Sequence, residues 1–537
     1  MRIAILIFAF LTLGCSSNRK FVAQKPIPSD TRKIEKPFSR DPSLSVEIID
    51  KTFNYQLKQI FDFPRSFRKL VGEPYQSLNV DNFDNVPNSS WFTNRNGFQE
   101  MSLEEIRKGP NKALGPDTTG TWKIVSVKTA GVTPGFTIVD SKGAKYVIKF
   151  DPLRFPELAS GTEVVGTKLM FAAGYNVPEN YIAYLNPEKL VLSPEAKLNY
   201  KFDKKRPMTQ EDLEVILKKV NPNGEKRIRV LASRFLSGIP IGPWTYTGTR
   251  KDDPNDIFSH ENRREIRGLY ILCSWINHAD MKEENTLDMF DEGFVKHYLI
   301  DFGASMGSNS TNVSNPRRGQ ANSLDLKHSL IRLATLGLYV FPYERAEQKI
   351  IYPSVGYLEN DLFHPNKWNP MYPVPAFENL TKQDAFWGTK IVTSFSDEQI
   401  QAAVLEGQFS DPNAAKYLEK FLIERRDKIG NYWFSKINPL DNFEIENETL
   451  HFEDLAFSRG FAKSEKTNYK VEVFNQKKLI SSQETKETSF RLLQKLKGQE
   501  KITLSILTKR KKLEVEPIRV YLKLENSDWK ILGIERE

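Results

Sequence analysis

The stretch Ser274–Gly307, SWINHADMKEENTLDMFDEGFVKHYLIDFGASMG, constrains this chain more than any other. It holds two short signatures. The first is His278-Ala279-Asp280-Met281-Lys282-Glu283-Glu284-Asn285, and the second is Ile300-Asp301-Phe302-Gly303. The run Val295–Ile300, just before the second, reads as a strand. Upstream, His260–Asn277 reads as a helix with Ile266, Leu269, Tyr270, Cys273 and Ile276 on one face. That helix runs straight into His278. The order is therefore apolar helix, polar loop, strand, and an acidic residue at the strand's end.

The pattern H-x-D-x-K-x-x-N followed by a strand ending in D-F-G resembles the catalytic and metal-binding loops of the protein-kinase-like superfamily. The Arg that usually follows the His is Ala279 here. The resemblance implies an active site for phosphoryl transfer. Asp280 would orient the attacking hydroxyl and take its proton, and Lys282 would reach the transferring phosphate. Asn285 and Asp301 would supply hard oxygen ligands to Mg2+, which bridges the phosphates of ATP or another nucleotide.

The upstream chain follows the order that the resemblance requires of a small lobe. Trp122–Val127, Phe136–Asp140 and Ala144–Phe150 read as strands, with Ser141-Lys142-Gly143 as a hairpin turn. The third carries Tyr146-Val147-Ile148-Lys149, similar to the family's V-A-I-K, so Lys149 would pair with the α and β phosphates. The loop with Gly131 and Gly135 falls where the phosphate-covering loop should be, though it does not match G-x-G-x-x-G and its glycines could serve only a turn. A helix is expected over Leu158–Ala173, stopped by Gly174. Within it Glu163 would hold Lys149, with Glu157 as the alternative. Asn180–Leu192 and Lys226–Phe235 read as strands. Met208–Val220 reads as an inserted helix with Thr209 as N-cap and Asp212 in capping-box position. Leu236–Trp244 falls where two lobes would join.

The N-terminus reads differently. Met1–Gly14, MRIAILIFAFLTLG, has one Arg and then an apolar run too short to span a bilayer comfortably. Its end, Thr12-Leu13-Gly14-Cys15, resembles a bacterial lipobox, which implies cleavage before Cys15 and lipidation of its thiol. Ser16 and Ser17 supply no Asp of the kind that often retains lipoproteins at the inner membrane. The expected location is the cell envelope, as an outer-membrane lipoprotein facing periplasm or surface. With Cys15 committed to lipid, Cys273 has no partner for an internal disulfide, and its apolar setting suits a buried inert thiol. The formal net charge of +9 sits partly in Lys/Arg-rich stretches, which are commonly solvated faces but suit anionic lipid, lipopolysaccharide or a phosphorylated substrate. No nucleic-acid-binding motif, HExxH, cysteine cluster or G-x-S-x-G is present.

Beyond Gly303 no A-P-E follows, and Ala304–Gln320, rich in Ser, Asn and Gly, reads as a mobile activation-type loop. Ser323–Leu338, Asp397–Glu406 and Ala414–Trp433 read as helices, and Phe341–Phe377 is aromatic and proline-rich. Arg263, Arg264 and Arg267 read as a solvated or salt-bridged face. From about Asn442 short alternating runs suggest a small β-sandwich.

The expected fold class is α+β: a two-lobed protein-kinase-like fold followed by a small C-terminal β-sandwich. The boundaries are 1–14 signal peptide, 15–45 flexible tether, 46–118 extension packed on the small lobe, 119–243 small lobe, 244–440 large lobe and 441–537 β-sandwich-like domain. The expected activity is an ATP/Mg-dependent phosphotransferase anchored to the membrane through Cys15, with an unknown acceptor hydroxyl on protein or saccharide. Two alternatives stand beside it. One is a pseudokinase-type binding or structural lipoprotein, motivated by the scarcity of ATP outside the cell. The other is a metal-dependent enzyme that uses the same carboxylates without a nucleotide.

Overall fold

A computed structural model describes residues 21–40, 54–127, 135–200, 204–492, 496, 498–511, 513 and 515–537. The expected signal peptide, Cys15 and Gly131 lie outside the described residues. The described residues have α+β content and divide into two compact units, one within 27–79 and 86–434 and the other within 21–26, 80–85 and 435–537.

The larger unit contains a mixed seven-stranded sheet in the order β4-β7-β3-β2-β1-β5-β6. Its strands are β1 (Trp122–Val127), β2 (Gly135–Val139), β3 (Lys145–Phe150), β4 (Asn180–Leu185), β5 (Leu190–Tyr200), β6 (Lys204–Pro207) and β7 (Ile228–Arg234). All pairs are antiparallel except β1 with β5. Asn180–Leu192, expected as one strand, is two, because Asn186 caps a 3₁₀ turn at Pro187–Lys189 and redirects the chain. Gly135 is the first residue of β2, in register with Lys149, instead of a residue of the preceding loop.

Among the helices of this unit, in chain order, are α1 (Gln56–Phe61), α2 (Phe63–Leu70), α3 (Leu158–Ala173), α4 (Gln210–Val220) and α5 (Arg264–Trp275). Thr209 and Asp212 form the expected capping box of α4. α5 is shorter than the expected helix because His260–Asn262 forms a 3₁₀ turn before it. Then come α6 (Leu326–Ala334), α7 (Lys382–Val392), α8 (Asp397–Leu405) and α9 (Pro412–Trp433). The helices α3, α5, α7, α8 and α9 share one apolar core, to which Val355, Leu358, Phe363 and Trp368 of the aromatic, proline-rich segment contribute.

Two expectations for the N-terminal part are corrected. Residues 27–40, read as flexible tether, are held to the larger unit. Ile34 N donates to Gly293 O (2.8 Å), Arg40 N to Ile241 O (2.9 Å) and Phe38 N to Asp252 Oδ2 (2.8 Å), while the Arg250 guanidinium takes the Phe38 carbonyl. A proline-bearing chain can form such hydrogen bonds without a hydrophobic period, so composition could not reveal them. The extension likewise does not pack only on the sheet-bearing part. Trp91 stacks on His297 (3.5 Å between ring centroids), and Ser77 Oγ donates to Asp384 Oδ1 (2.6 Å).

The arginines of α5 and its N-cap are buried and salt-bridged. Arg263 pairs with Asp256 (3.1 Å) and Glu265 (3.3 Å), and Arg264 and Arg267 both pair with Asp384 (3.2 Å each). Asp384 also caps α7 by accepting from Thr381 N (3.0 Å).

The C-terminal unit has a three-stranded sheet, β11-β12-β15, and a five-stranded sheet, β14-β13-β16-β17-β18, all antiparallel. These are β11 (Leu440–Glu446), β12 (Thr449–Asp454), β13 (Asn468–Asn475), β14 (Lys478–Thr485), β15 (Ser489–Arg491), β16 (Lys501–Lys509), β17 (Ile518–Glu525) and β18 (Asp528–Arg536). The buried faces of both sheets form one apolar cluster. The pattern had missed β11, bulged between Asp441 and Glu444, and β14, an edge strand with no buried residue. Residues 80–85 join this unit: Ile534 N donates to Asn82 O (2.8 Å), and Arg536 pairs with Asp84 (3.1 Å) and Asp441 (3.4 Å).

Asp384→Ala would leave two buried guanidinium groups without their shared carboxylate and remove a helix cap. A loss of about 3–5 kcal/mol is expected, read as a lower midpoint in denaturant unfolding.

Candidate functional site

The site begins with alternation in β3. Tyr146, Ile148 and Phe150 are buried in the sheet's apolar cluster. Residues of opposite parity face the other side of a strand, which turns Lys149 away from that cluster. There its Nζ meets two carboxylates, Glu163 Oε2 at 3.0 Å and Asp301 Oδ1 at 2.7 Å. Burial alone would depress the Lys149 pKa, but Asp301 and Glu163 together outweigh it and raise it, so the ammonium stays charged.

Glu163 lies on α3, a helix buried nearly all round. It does more than hold the lysine: its carboxylate accepts from Phe302 N (3.2 Å) and Gly303 N (3.0 Å). One buried carboxylate thus fastens strand β3 to the turn that follows Asp301. The alternative partner, Glu157, lies before the helix and accepts from Ser410 N (2.9 Å). Close approach of α3 to this turn depends on a missing side chain. A Cβ on Gly166 would stand 2.9 Å from Phe302 Cβ.

Asp301 and Asn285 are brought together by a hairpin. A three-stranded sheet of order β10-β9-β8 contains β8 (Ile239–Pro240), β9 (Thr286–Asp291) and β10 (Phe294–Leu299), and β9 and β10 pair antiparallel, with Leu299 opposite Thr286. The residues just outside this register are Asn285 and Ile300, and Ile300 N donates to Asn285 O (3.0 Å). β9 was not anticipated. Glu292 and Gly293, both at positive φ, make its tight turn. Asp301 itself has φ 66° and ψ 59°, the left-handed region that a non-glycine residue enters at a cost. Its ion pair and the anchored turn behind it hold it there.

The loop before the hairpin carries the remaining candidates. Asn285 Nδ2 donates to the Asp280 carbonyl (2.7 Å), which pins the loop, and Lys282 Nζ lies 3.4 Å from Asp280 Oδ2. Burial lowers the Lys282 pKa, but Asp280, Asp301 and Glu284 together raise it above its ordinary value. Lys282 therefore senses both carboxylates. Lys149, Glu163, Asp280, Lys282, Asn285 and Asp301 are linked through these contacts and fields. A cleft lined by Lys149, Glu163, Leu231, Asp301, Gly303 and Ser310 opens beside them. Gly135 reaches this group only as the β-partner of Lys149.

One contributor had no signal in the sequence. Arg318, from the Ser/Asn/Gly-rich segment, donates through Nη2 to Ala304 O (2.7 Å) and through Nη1 to Asn309 Oδ1 (2.6 Å). Burial lowers its pKa while the Asp280 charge opposes that shift. The segment is tied down at further points. Ser308 Oγ donates to Gly303 O (2.7 Å), and Ser314 N donates to Gly307 O (2.8 Å).

The oxygen donors suit Mg2+, which takes one or two protein oxygens and leaves its other positions to water and phosphate. Among the described residues no group of three or more His, Cys, Asp and Glu forms a cage for a metal ion. A site of this kind would need phosphate oxygens to complete it.

His278 is buried beside Phe302, and burial pushes its pKa down to about 4. The unfolded chain takes up that proton near pH 6.5, so between these values the unfolded state binds more protons. Stability should rise with pH across that window, by up to about 1.4 kcal/mol per unit from this group. It should flatten below pH 4 and above pH 6.5. Thermal melts across this range should show a weaker slope for His278→Gln. Separately, Glu163→Ala should cost about 3–5 kcal/mol in chemical denaturation by leaving the Lys149 ammonium short of a partner and two buried N–H groups unpaired.

No protein-family model and no curated protein matches the sequence. Among solved structures, the chain is similar to the Helicobacter pylori proinflammatory kinase CtkA, at 12% identity over 56% of this chain and 92% of that one, with a TM-score of 0.29. It is also similar to the Golgi casein kinase, at 12% identity over 76% and 94%, with a TM-score of 0.28. For the form of that kinase with Mn/ADP bound, the identity is 11% over 77% and 94%, with a TM-score of 0.27.

Proposed function

We propose that this protein is a nucleotide- and magnesium-dependent phosphotransferase of two-lobed, kinase-like fold with a C-terminal β-sandwich. We place it in the cell envelope as a lipoprotein anchored through Cys15, with a hydroxyl of protein or saccharide as acceptor. The observation that carries this reading is the placement of Lys149 Nζ between Glu163 (3.0 Å) and Asp301 (2.7 Å). Two carboxylates, one on a helix 14 positions along the chain and one at a strand end 152 positions along, converge on one strand lysine.

In this reading each residue has a distinct task. Lys149 presents a fixed positive charge to nucleotide phosphates, and Glu163 sets its position. Asp301 and Asn285 would hold magnesium, which when bound neutralises charge on the phosphate oxygens. Asp280 orients the acceptor hydroxyl and receives its proton, and Lys282 offers a cation beside it. Such catalysis is mostly positioning and charge stabilisation. Gly131, outside the described residues, belongs to the loop that would cover the phosphates, and Gly135 begins the strand that follows it.

Thermal stability with magnesium and a panel of nucleotides tests the binding step. A ligand at about one hundred times its Kd should add about 2.7 kcal/mol to the wild type, and Asp301→Ala should lose most of that gain. Asp280→Asn should keep the gain but lose about 10²–10⁴-fold in transfer rate, measured as phosphate incorporated into a candidate acceptor. A native chain that no nucleotide stabilises would instead be a binding or structural lipoprotein on the same scaffold.

A further inference from the structure

Two helices of the larger unit turn apolar stripes outward. In α2 the stripe is Phe63, Phe67 and Leu70, spaced i, i+4, i+7, with 69%, 64% and 83% of their surface exposed. In α6, Leu330 and Leu333 (59% and 72% exposed) continue past the helix end into Leu336 and Leu338 (87% and 84%). Neither helix has a single buried residue. They belong to one neighbourhood. Gln56, which begins α1, donates to Leu324 O (2.7 Å) and accepts from Leu326 N (3.2 Å), so the α1–α2 segment is clamped to the start of α6. Single exposed leucines are ordinary on a protein surface, but seven large apolar side chains on adjoining helices are not.

Cations outnumber carboxylates around these stripes. Lys58, Arg65, Arg68 and Lys69 flank the first, and Lys327 and Arg332 the second. The carboxylates of the same segments, Asp62 and Asp325, are used as helix N-caps, accepting from Arg65 N (3.1 Å) and His328 N (2.9 Å). Arg65 and Arg332 have carboxylate neighbours, Glu378 and Glu344, whereas Lys58 and Lys327 stand exposed. Among the described residues no helix is long and apolar enough to cross a membrane.

An amphipathic helix with cations beside an outward apolar stripe is suited to lie in a lipid headgroup layer, its apolar side chains in the acyl boundary and its cations among the phosphates. We propose that α2 and the segment from α6 to Val340 form a membrane-resting face that binds anionic bilayer surfaces. This contact is separate from lipidation at Cys15 and does not depend on the phosphotransferase reading. It would hold the folded unit against the membrane, where a tether alone would leave it free to tumble. A protein partner could match the apolar stripe, but the excess of cations at its rim, with Lys58 and Lys327 exposed, and the chain's net charge of +9 favour anionic lipid.

The test uses the full chain carrying Cys15→Ser and Leu336→Cys, labelled at position 336 with a polarity-sensitive fluorophore. Cys273 is buried and its thiol pKa is raised by burial, so it should not compete for the label. Phosphatidylcholine vesicles containing phosphatidylglycerol should blue-shift the emission, and pure phosphatidylcholine should do so far less. High salt should weaken the shift. Adding Leu330→Asp and Leu333→Asp should lower the apparent vesicle affinity at least about tenfold, the value of one buried leucine side chain. The proposal is overturned by unchanged emission on anionic vesicles or by a shift that survives the double substitution. It is also overturned by a shift that appears without lipid as protein concentration rises, which would mark contact with a second copy.

Discussion

Glu163 is the residue on which the candidate site depends. Its carboxylate bonds the Lys149 ammonium and two backbone N–H groups at Phe302 and Gly303. A buried charge is tolerable only when its partners are in place, so the strand, the helix and the turn after Asp301 must assemble together or not at all. Lys149 extends the network to Asp301, whose left-handed backbone needs such support. The arrangement couples the seven-stranded sheet to the helical core through charge as well as apolar packing.

The hairpin β9–β10 supplies the second constraint. A strand pair returns the chain to its starting end, so residues flanking the hairpin become neighbours however the loop between them is composed. That is how Asn285 and the strand end that carries Asp301 become neighbours. Arg318 closes the same site from a third direction through Ala304 and Asn309. The segment it belongs to has the composition of a mobile loop, yet its hydroxyls, amides and guanidinium are used internally. Polar composition describes what a segment can bond, and the partners decide whether it moves.

Much of the local structure was legible in the sequence. α3, α4, α8 and α9 lie within a few residues of their expected positions, because apolar periodicity and capping residues are local signals. Motif spacing named Lys149, Glu163 and Asp301, which the fold brings into contact. The segments that misled were those whose partners lie far along the chain. Residues 27–40 are held by Gly293, Ile241 and Asp252, and residues 80–85 by strand β18. The edge strand β14 left no trace, since a strand with no buried residue has no reason to alternate.

The sequence by itself determined which chemistries were available: a lysine on an amphipathic strand, acids at a helix and a strand end, and an amide in a polar loop. It could not choose between Glu157 and Glu163 as the partner of Lys149, nor find an arginine near Asp280, nor show that α2 and α6 leave their apolar stripes uncovered. Those outcomes belong to the tertiary structure. Periodicity states which face of an element is apolar, but what meets that face is set by contacts between distant parts of the chain. Likewise a charged side chain declares its sign locally, while its partner is whatever the fold brings within a few ångströms.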